Sequence, residues 1–214
     1  MTQEYFDAYI HSFLMEYEGD ILFRDFTYDY CQLYFHRHQG NYLLDNIEQS
    51  CFVLWGYLAS FGMLRGSSPL HIKNPSVLAP VIEYIAANDF YDIDLHDYYN
   101  QEARQRVIAA YSGIENSLHQ LNPSVTLISK ILLGVYTCLP AFDSYFLWFM
   151  RNNWDLRFRP NHLEDLDVIM QRMYQECGQI QFPQLYLRQF DGQESEVSMK
   201  KIRFIDRMGW EIGA

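Results

Sequence analysis

Apolar side chains recur along this chain at every third or fourth position far more often than at every second, the spacing of one face of an α-helix. Tyr5, Phe6, Tyr9, Ile10, Phe13, Leu14 and Tyr17 form one wide aromatic stripe and predict a helix over 2–17, with Thr2 as its N-cap and Gly19-Asp20 as its stop. A second helix is expected over 27–38, carrying Tyr30, Cys31, Tyr34 and Phe35, with Gly40 beyond its end. Positions 43–64 predict a longer one, amphipathic at first and apolar nearly all round in its second half, so that protein should surround it. Gly66-Ser67-Ser68-Pro69 breaks it.

A shorter helix starts at Pro75 or Ser76 and runs to Ala87, kinked or restarted at Pro80. An acidic loop covers 88–95, and a long amphipathic helix runs over 96–121, closed by Asn122-Pro123. Ser124 or Thr126 opens the second strongly apolar helix, which extends to Leu139, and Pro140 opens another over 141–152. Helices over 162–177 and 196–208 follow, separated by one strand-like stretch at 182–190. The expected fold is all-α, a single domain over 1–214 with eight or nine helices around two central apolar helices and at most one short strand.

Composition narrows the class. Hydrophobic residues make up 49% and charged residues 20% of 214 residues, which supports a real core and excludes a disordered chain or a coiled coil. The 17 Tyr and 15 Phe are read as a tyrosine-rich core whose hydroxyls find partners, in preference to a lining for a planar ligand. A net charge of −11 disfavours nucleic acid, and the basic clusters at 151–159 and 200–207 are read as solvated helix faces. Cys31, Cys51, Cys138 and Cys177 lie far apart, which points to reduced thiols in a cytoplasm and away from a zinc ribbon. No basic and apolar leader opens the sequence. The run 51–64 is too short to span a membrane, and 128–150 carries Lys130 and Asp143, so both are expected to be helices of a soluble protein without a membrane role.

Chemistry is expected where polar residues interrupt the apolar helices. Thr126, Lys130, Gly134 and Thr137 fall on one helix face, and Gly56 and Ser60 form a similar pair on the earlier helix. The small residues suit close approach of two backbones. A lysine among aliphatics must reach water, meet a carboxylate or carry a function. Arg65 and Lys130 are candidates to hold an anion, helped by Ser67, Ser68 and the Gly66 backbone, with Asp143 neutralising one cation. A buried Arg65–Asp143 pair that only fixes packing explains the same residues.

The segments Leu58-Ala59-Ser60-Phe61-Gly62-Met63-Leu64-Arg65-Gly66-Ser67-Ser68 and Lys130-Ile131-Leu132-Leu133-Gly134…Pro140-Ala141-Phe142-Asp143 resemble paired signatures of a family of bacterial, all-helical proteins of unknown function. Ser144 stands where that family has an Arg. The resemblance implies a bacterial cytoplasmic protein and no reaction.

Three enzyme classes compete with a binding role. His71, His96, Asp97 and Asp143 occur in the order of an HD-type metal phosphohydrolase, with donors that suit a divalent metal. Arg157 and His162 have the Arg-x4-His spacing of a HEPN-like ribonuclease, although Pro160 interrupts it. Glu115 and His119 share a helix face, and His36 and His38 flank Arg37, but the paired Glu-x-x-His of a di-iron site is missing. Asp92, Asp94 and Asp97 lack the Gly and closing Glu of a calcium loop. The leading expectation is a bacterial cytoplasmic binding or interaction protein with a pocket for a small anionic ligand at Arg65, Ser67, Ser68, Lys130 and Asp143. An HD-type phosphohydrolase is the runner-up, and a homodimer joined by exposed aromatic faces of the first two helices is a third reading. No cofactor follows from the sequence.

Overall fold

The computed structural model describes residues 1–18, 23–66 and 68–214. The chain folds as α1 (Gln3–Glu18), α2 (Phe23–Arg37), α3 (Asn41–Asp45), α4 (Ile47–Ser60), α5 (Ala79–Ala87), α6 (Gln101–Ser117), α7 (Val125–Val135), α8 (Ser144–Asn153), α9 (Glu164–Cys177), β1 (Tyr186–Arg188), β2 (Glu194–Ser198) and α10 (Lys201–Gly213). The all-α class holds, with ten α-helices and two short strands among the described residues. No helix among them is long and apolar enough to cross a membrane.

Thr2 accepts the Tyr5 amide at 3.3 Å and starts α1, as its position predicts, whereas the expected stop at Gly19-Asp20 lies outside the described residues. The long helix expected over 43–64 is broken at both ends. Asn46 leaves the helical region (φ −118°, ψ 37°) and its amide donates to the Tyr42 carbonyl, which separates α3 from α4. At the other end Gly62, with φ +77°, takes the left-handed position of a Schellman motif. Its amide donates to the Ala59 carbonyl at 3.0 Å and the Met63 amide to Leu58 at 2.8 Å, so the helix ends at Ser60 before Gly66 is reached. Pro80 restarts the fourth predicted helix, with a 3-10 turn over Pro75–Leu78 before α5. Asn100 caps α6 by accepting the Glu102 amide, which shortens the helix predicted from His96.

The helix α7 lies at the centre, buried at every position from Leu127 to Val135. By contrast α4 is buried on one side only. Gly56 and Ala59 in its second half are exposed, so the expectation that protein surrounds that half is corrected. The two meet where Gly134 faces Tyr57: a Cβ on Gly134 would lie 2.3 Å from the tyrosine ring, and the Tyr57 hydroxyl donates to the Lys130 carbonyl at 3.0 Å. Around this pair α2 packs on α4 and α7, α6 bridges α5, α7 and α9, and α10 lies on α8 and α1.

The aromatic stripe of α1 is not a free surface. Phe6, Phe13 and Tyr17 are buried, with Phe13 edge-on to Phe204 of α10. Tyr28, Tyr34 and Phe35 of α2 are buried too, while Tyr5 of α1 is 38% exposed and Phe26 and Tyr30 of α2 are half-buried.

Glu196–Ser198, expected to begin the last helix, belong to β2 instead. The strands pair antiparallel (Tyr186 with Ser198, Arg188 with Glu194) around a turn at Gly192. Asp29 of α2 ties this hairpin down: one carboxylate oxygen accepts the Tyr17 hydroxyl at 2.6 Å and the Arg188 amide at 2.8 Å. Burial pushes the Asp29 carboxyl up to about 7, against the opposing pull of these hydrogen bonds.

Two outcomes follow from this packing. Gly134→Ala should destabilise by about 1–3 kcal/mol through overpacking against Tyr57. Gly56→Ala, where an added Cβ meets nothing within 4 Å, should stabilise by roughly 0.5–1 kcal/mol through helix propensity. Chemical denaturation of both variants checks the opposite signs. At Asp29 the folded state binds a proton more tightly than the unfolded chain, so this stabilisation is full below about pH 4 and is lost as pH rises through about 7. Asp29→Asn should flatten the fall in denaturation midpoint between those limits, by roughly 1–3 kcal/mol; parallel wild-type and variant profiles would contradict it.

Candidate functional site

A cavity of about 370 Å³ opens where α4, α7, α8 and α10 converge. Three elements that end here explain it. Just past the last turn of α4, Lys130 of α7 donates to the Phe61 carbonyl at 2.7 Å. Lys130 is 8% exposed and also lies 5.8 Å from the Phe61 ring.

The chain then leaves α7 through Thr137, whose φ of 48° is left-handed, and passes Pro140 without starting a helix. The connector is anchored by two backbone amides: Ala141 donates to Asp206 and Phe142 to the Ser129 hydroxyl, both at 2.8 Å. Only at Asp143 does α8 begin. Its Oδ1 accepts the Tyr145 and Phe146 amides at 3.1 Å each, the arrangement of an N-cap.

The fourth wall comes from α10. Arg203, Asp206, Arg207 and Trp210 recur at the spacing of a single helix face and all line the cavity. Expected as part of a solvated basic face, Arg203 and Arg207 are instead 2% and 4% exposed. Arg203 pairs with Asp25 of α2 and with Asp206 at 3.0 Å, its guanidinium 4.2 Å from the Tyr28 ring. Burial disfavours its charge, but Asp25 and Asp206 outweigh that and hold it protonated. Burial likewise raises the Asp206 carboxyl to about 6, opposed by Arg203 and the Ala141 amide. Arg207 pairs with Glu16 of α1 and Glu211, each at 2.8 Å, both through Nη2; its buried Nε and Nη1 have no hydrogen-bond partner.

Of the residues expected to form a pocket, Arg65, Lys130 and Asp143 line this cavity together. Arg65 is exposed, folded back over Gly62 so that a Cβ there would lie 3.1 Å from its guanidinium. No ion pair joins it to Asp143 among the described residues, so the packing pair expected between them is not formed. Ser68 is outside the lining and its hydroxyl accepts the Leu70 amide, while Ser67 lies outside the described residues.

Compared with known protein families, curated proteins and solved structures, the chain finds no significant match. The site therefore has to be read from its own geometry.

That geometry does not gather the expected metal ligands. His71 sits on the turn after α4 with Nδ1 3.0 Å from the Leu64 carbonyl. His96 and Asp97 belong to a 3-10 turn that Asp97 helps to cap through the Asp94 amide. Asp97 lines a depression with Asp92 and Arg106, separate from the cavity that holds Asp143. No group of three or more His, Cys, Asp and Glu that could hold a metal ion occurs among the described residues. The Arg157–His162 spacing does not lie on a helix either, and His162 binds Glu164 in a turn. His119 meets the Asn116 carbonyl, and His38 stacks on Tyr42.

The cavity lining contains no histidine and no cysteine. All four cysteines are buried and free, and burial lifts Cys138 and Cys177 to about 12, which makes poor nucleophiles of them.

Arg203→Met should cost about 3–5 kcal/mol, because it strands two buried carboxylates. Without Arg203 to oppose it, burial favours the neutral form of Asp206 further, so the loss should be smaller at pH 5 than at pH 8. A denaturation series at the two pH values reads both effects, and an equal loss at each would contradict the buried pairing.

Proposed function

We propose that this is a bacterial cytoplasmic binding protein, the setting that the two resembling segments imply, and that the acidic group of a small ligand enters the cavity beside Arg65, Lys130 and Arg207. The observation that carries the reading is Arg207. Its guanidinium is 4% exposed and lies between the Phe13 and Trp210 rings, and two of its nitrogens have no hydrogen-bond partner among the described residues, which costs stability unless something accepts from them. Arginine is suited to hold a carboxylate or phosphate in that role because its donors form a planar fork. The volume falls in the range of small-molecule sites, and the aromatic side chains of Phe61, Tyr145, Phe146 and Trp210 add apolar wall to a charged floor. Nucleic acid and membranes remain outside the proposal, since a net charge of −11 repels phosphate backbones and anionic lipid surfaces.

Thermal unfolding of the purified chain with a panel of organic acids and inorganic phosphate tests this. A ligand present at a hundred times its dissociation constant adds about 2.7 kcal/mol, which is roughly 5–10 °C in Tm for a chain of this size. The shift should fall to near zero in Arg65→Ala, an exposed position whose loss leaves the core intact. Shifts that persist unchanged in that variant would place binding elsewhere.

A further inference from the structure

The charges around the cavity say more about the ligand than that part of it is acidic. Four cations line it: Arg65, Lys130, Arg203 and Arg207. Among the described residues they are met by five carboxylates, namely Asp143 and Asp206 in the lining and Asp25, Glu16 and Glu211 paired with the two buried arginines. A site for a doubly charged phosphate needs surplus positive charge, and among the described residues this one has none. What it has is separation. Arg207 lines it from α10 with two buried nitrogens that have no hydrogen-bond partner among the described residues, its guanidinium 5.6 and 5.2 Å from the Phe13 and Trp210 rings, and Arg65 lines it from the turn after α4. Asp143 stands at the start of α8 with both cap bonds on Oδ1, so that Oδ2 takes part in neither.

Resting on the binding function proposed above, we infer that the ligand is a zwitterion, an amino acid or amino-acid-like molecule with an apolar or aromatic side chain. Its carboxylate accepts from Arg207 and Arg65, and its ammonium donates to Asp143 Oδ2. Its side chain lies against the wall that Phe61, Tyr145 and Trp210 provide, where Tyr145 and Trp210 meet edge to face at 5.7 Å. A molecule carrying one charge of each sign leaves a near-neutral site near neutral, so neither end is buried against an uncompensated like charge. The cavity of about 370 Å³ sits toward the small end of ligand sites, which suits a single amino acid better than a nucleotide.

Isothermal titration of the full chain with L-phenylalanine, L-leucine, N-acetyl-L-phenylalanine, L-phenylalaninamide and inorganic phosphate tests the inference. One or both free amino acids should bind, and blocking either end of phenylalanine should weaken binding at least tenfold. Asp143→Asn retains an N-cap residue of equal quality, so the fold should persist. That variant should lose its preference for the free amino acid over the N-acetyl form. If N-acetylphenylalanine or phosphate binds as tightly as the free amino acid, the zwitterion is overturned while an anion site stands. If the free amino acids fail but other organic acids shift the Tm, the zwitterion is likewise overturned and the anion site again stands. If no compound of either panel binds, both readings fall.

Discussion

One buried guanidinium organises the protein. Arg203 sits in the interior between Asp25 of α2 and Asp206 of its own helix, with the Tyr28 ring beneath it. A charge in that position is tolerable only when its partners are close and are themselves hydrogen-bonded. Asp206 meets the condition by also accepting the Ala141 amide, so three segments far apart in the chain are fixed by one cluster. Two of those segments, α10 and the connector before α8, also wall the cavity, which is why the site and the core cannot be separated here.

The consequences run outward from that cluster through backbone donors. The Ala141 and Phe142 amides anchor the connector after α7 to Asp206 and Ser129, and no helix starts until Asp143 caps α8. The delay leaves the room between α7 and α8 that becomes the cavity. A similar economy governs the end of α4: once Gly62 closes the helix in a Schellman turn, the Phe61 carbonyl is available to Lys130. Lys130 is thus drawn inward by the carbonyl just past the end of α4, and Arg203 and Arg207 by carboxylates of α1, α2 and their own helix.

Placed together, these groups form a mixed-charge basin with aromatic sides. Its cations are largely compensated before any ligand arrives, and the cysteine thiols that might have supplied a nucleophile are buried away from it. Burial lifts Asp206 to about 6, and its oxygens already accept from Arg203 and Ala141, so it serves the architecture first.

The helical class, most element positions and the meeting of Gly134 with a neighbouring helix are legible from residue spacing, because the period of an amphipathic helix is a local property. Asn74, Asn100, Ser124 and Asp143 are cap residues whose short polar side chains act within three positions, and they too can be read locally. Gly62 is legible in the same way, as a left-handed stop four residues ahead of the more conspicuous Gly66. Arg65, Lys130 and Asp143 stand out as polar interruptions of apolar runs, and they line one cavity. The other half of the site is hidden. Arg203, Asp206, Arg207 and Trp210 have the spacing of one face, but a face of charges reads as solvated until its partners are known. Those partners, Asp25 and Glu16, lie on the first two helices, and nothing in the sequence near 203–210 announces them. Residue spacing is enough to say where helices form. Which charges turn inward is settled by the folded arrangement alone, because burying a charge depends on partners that local spacing does not encode.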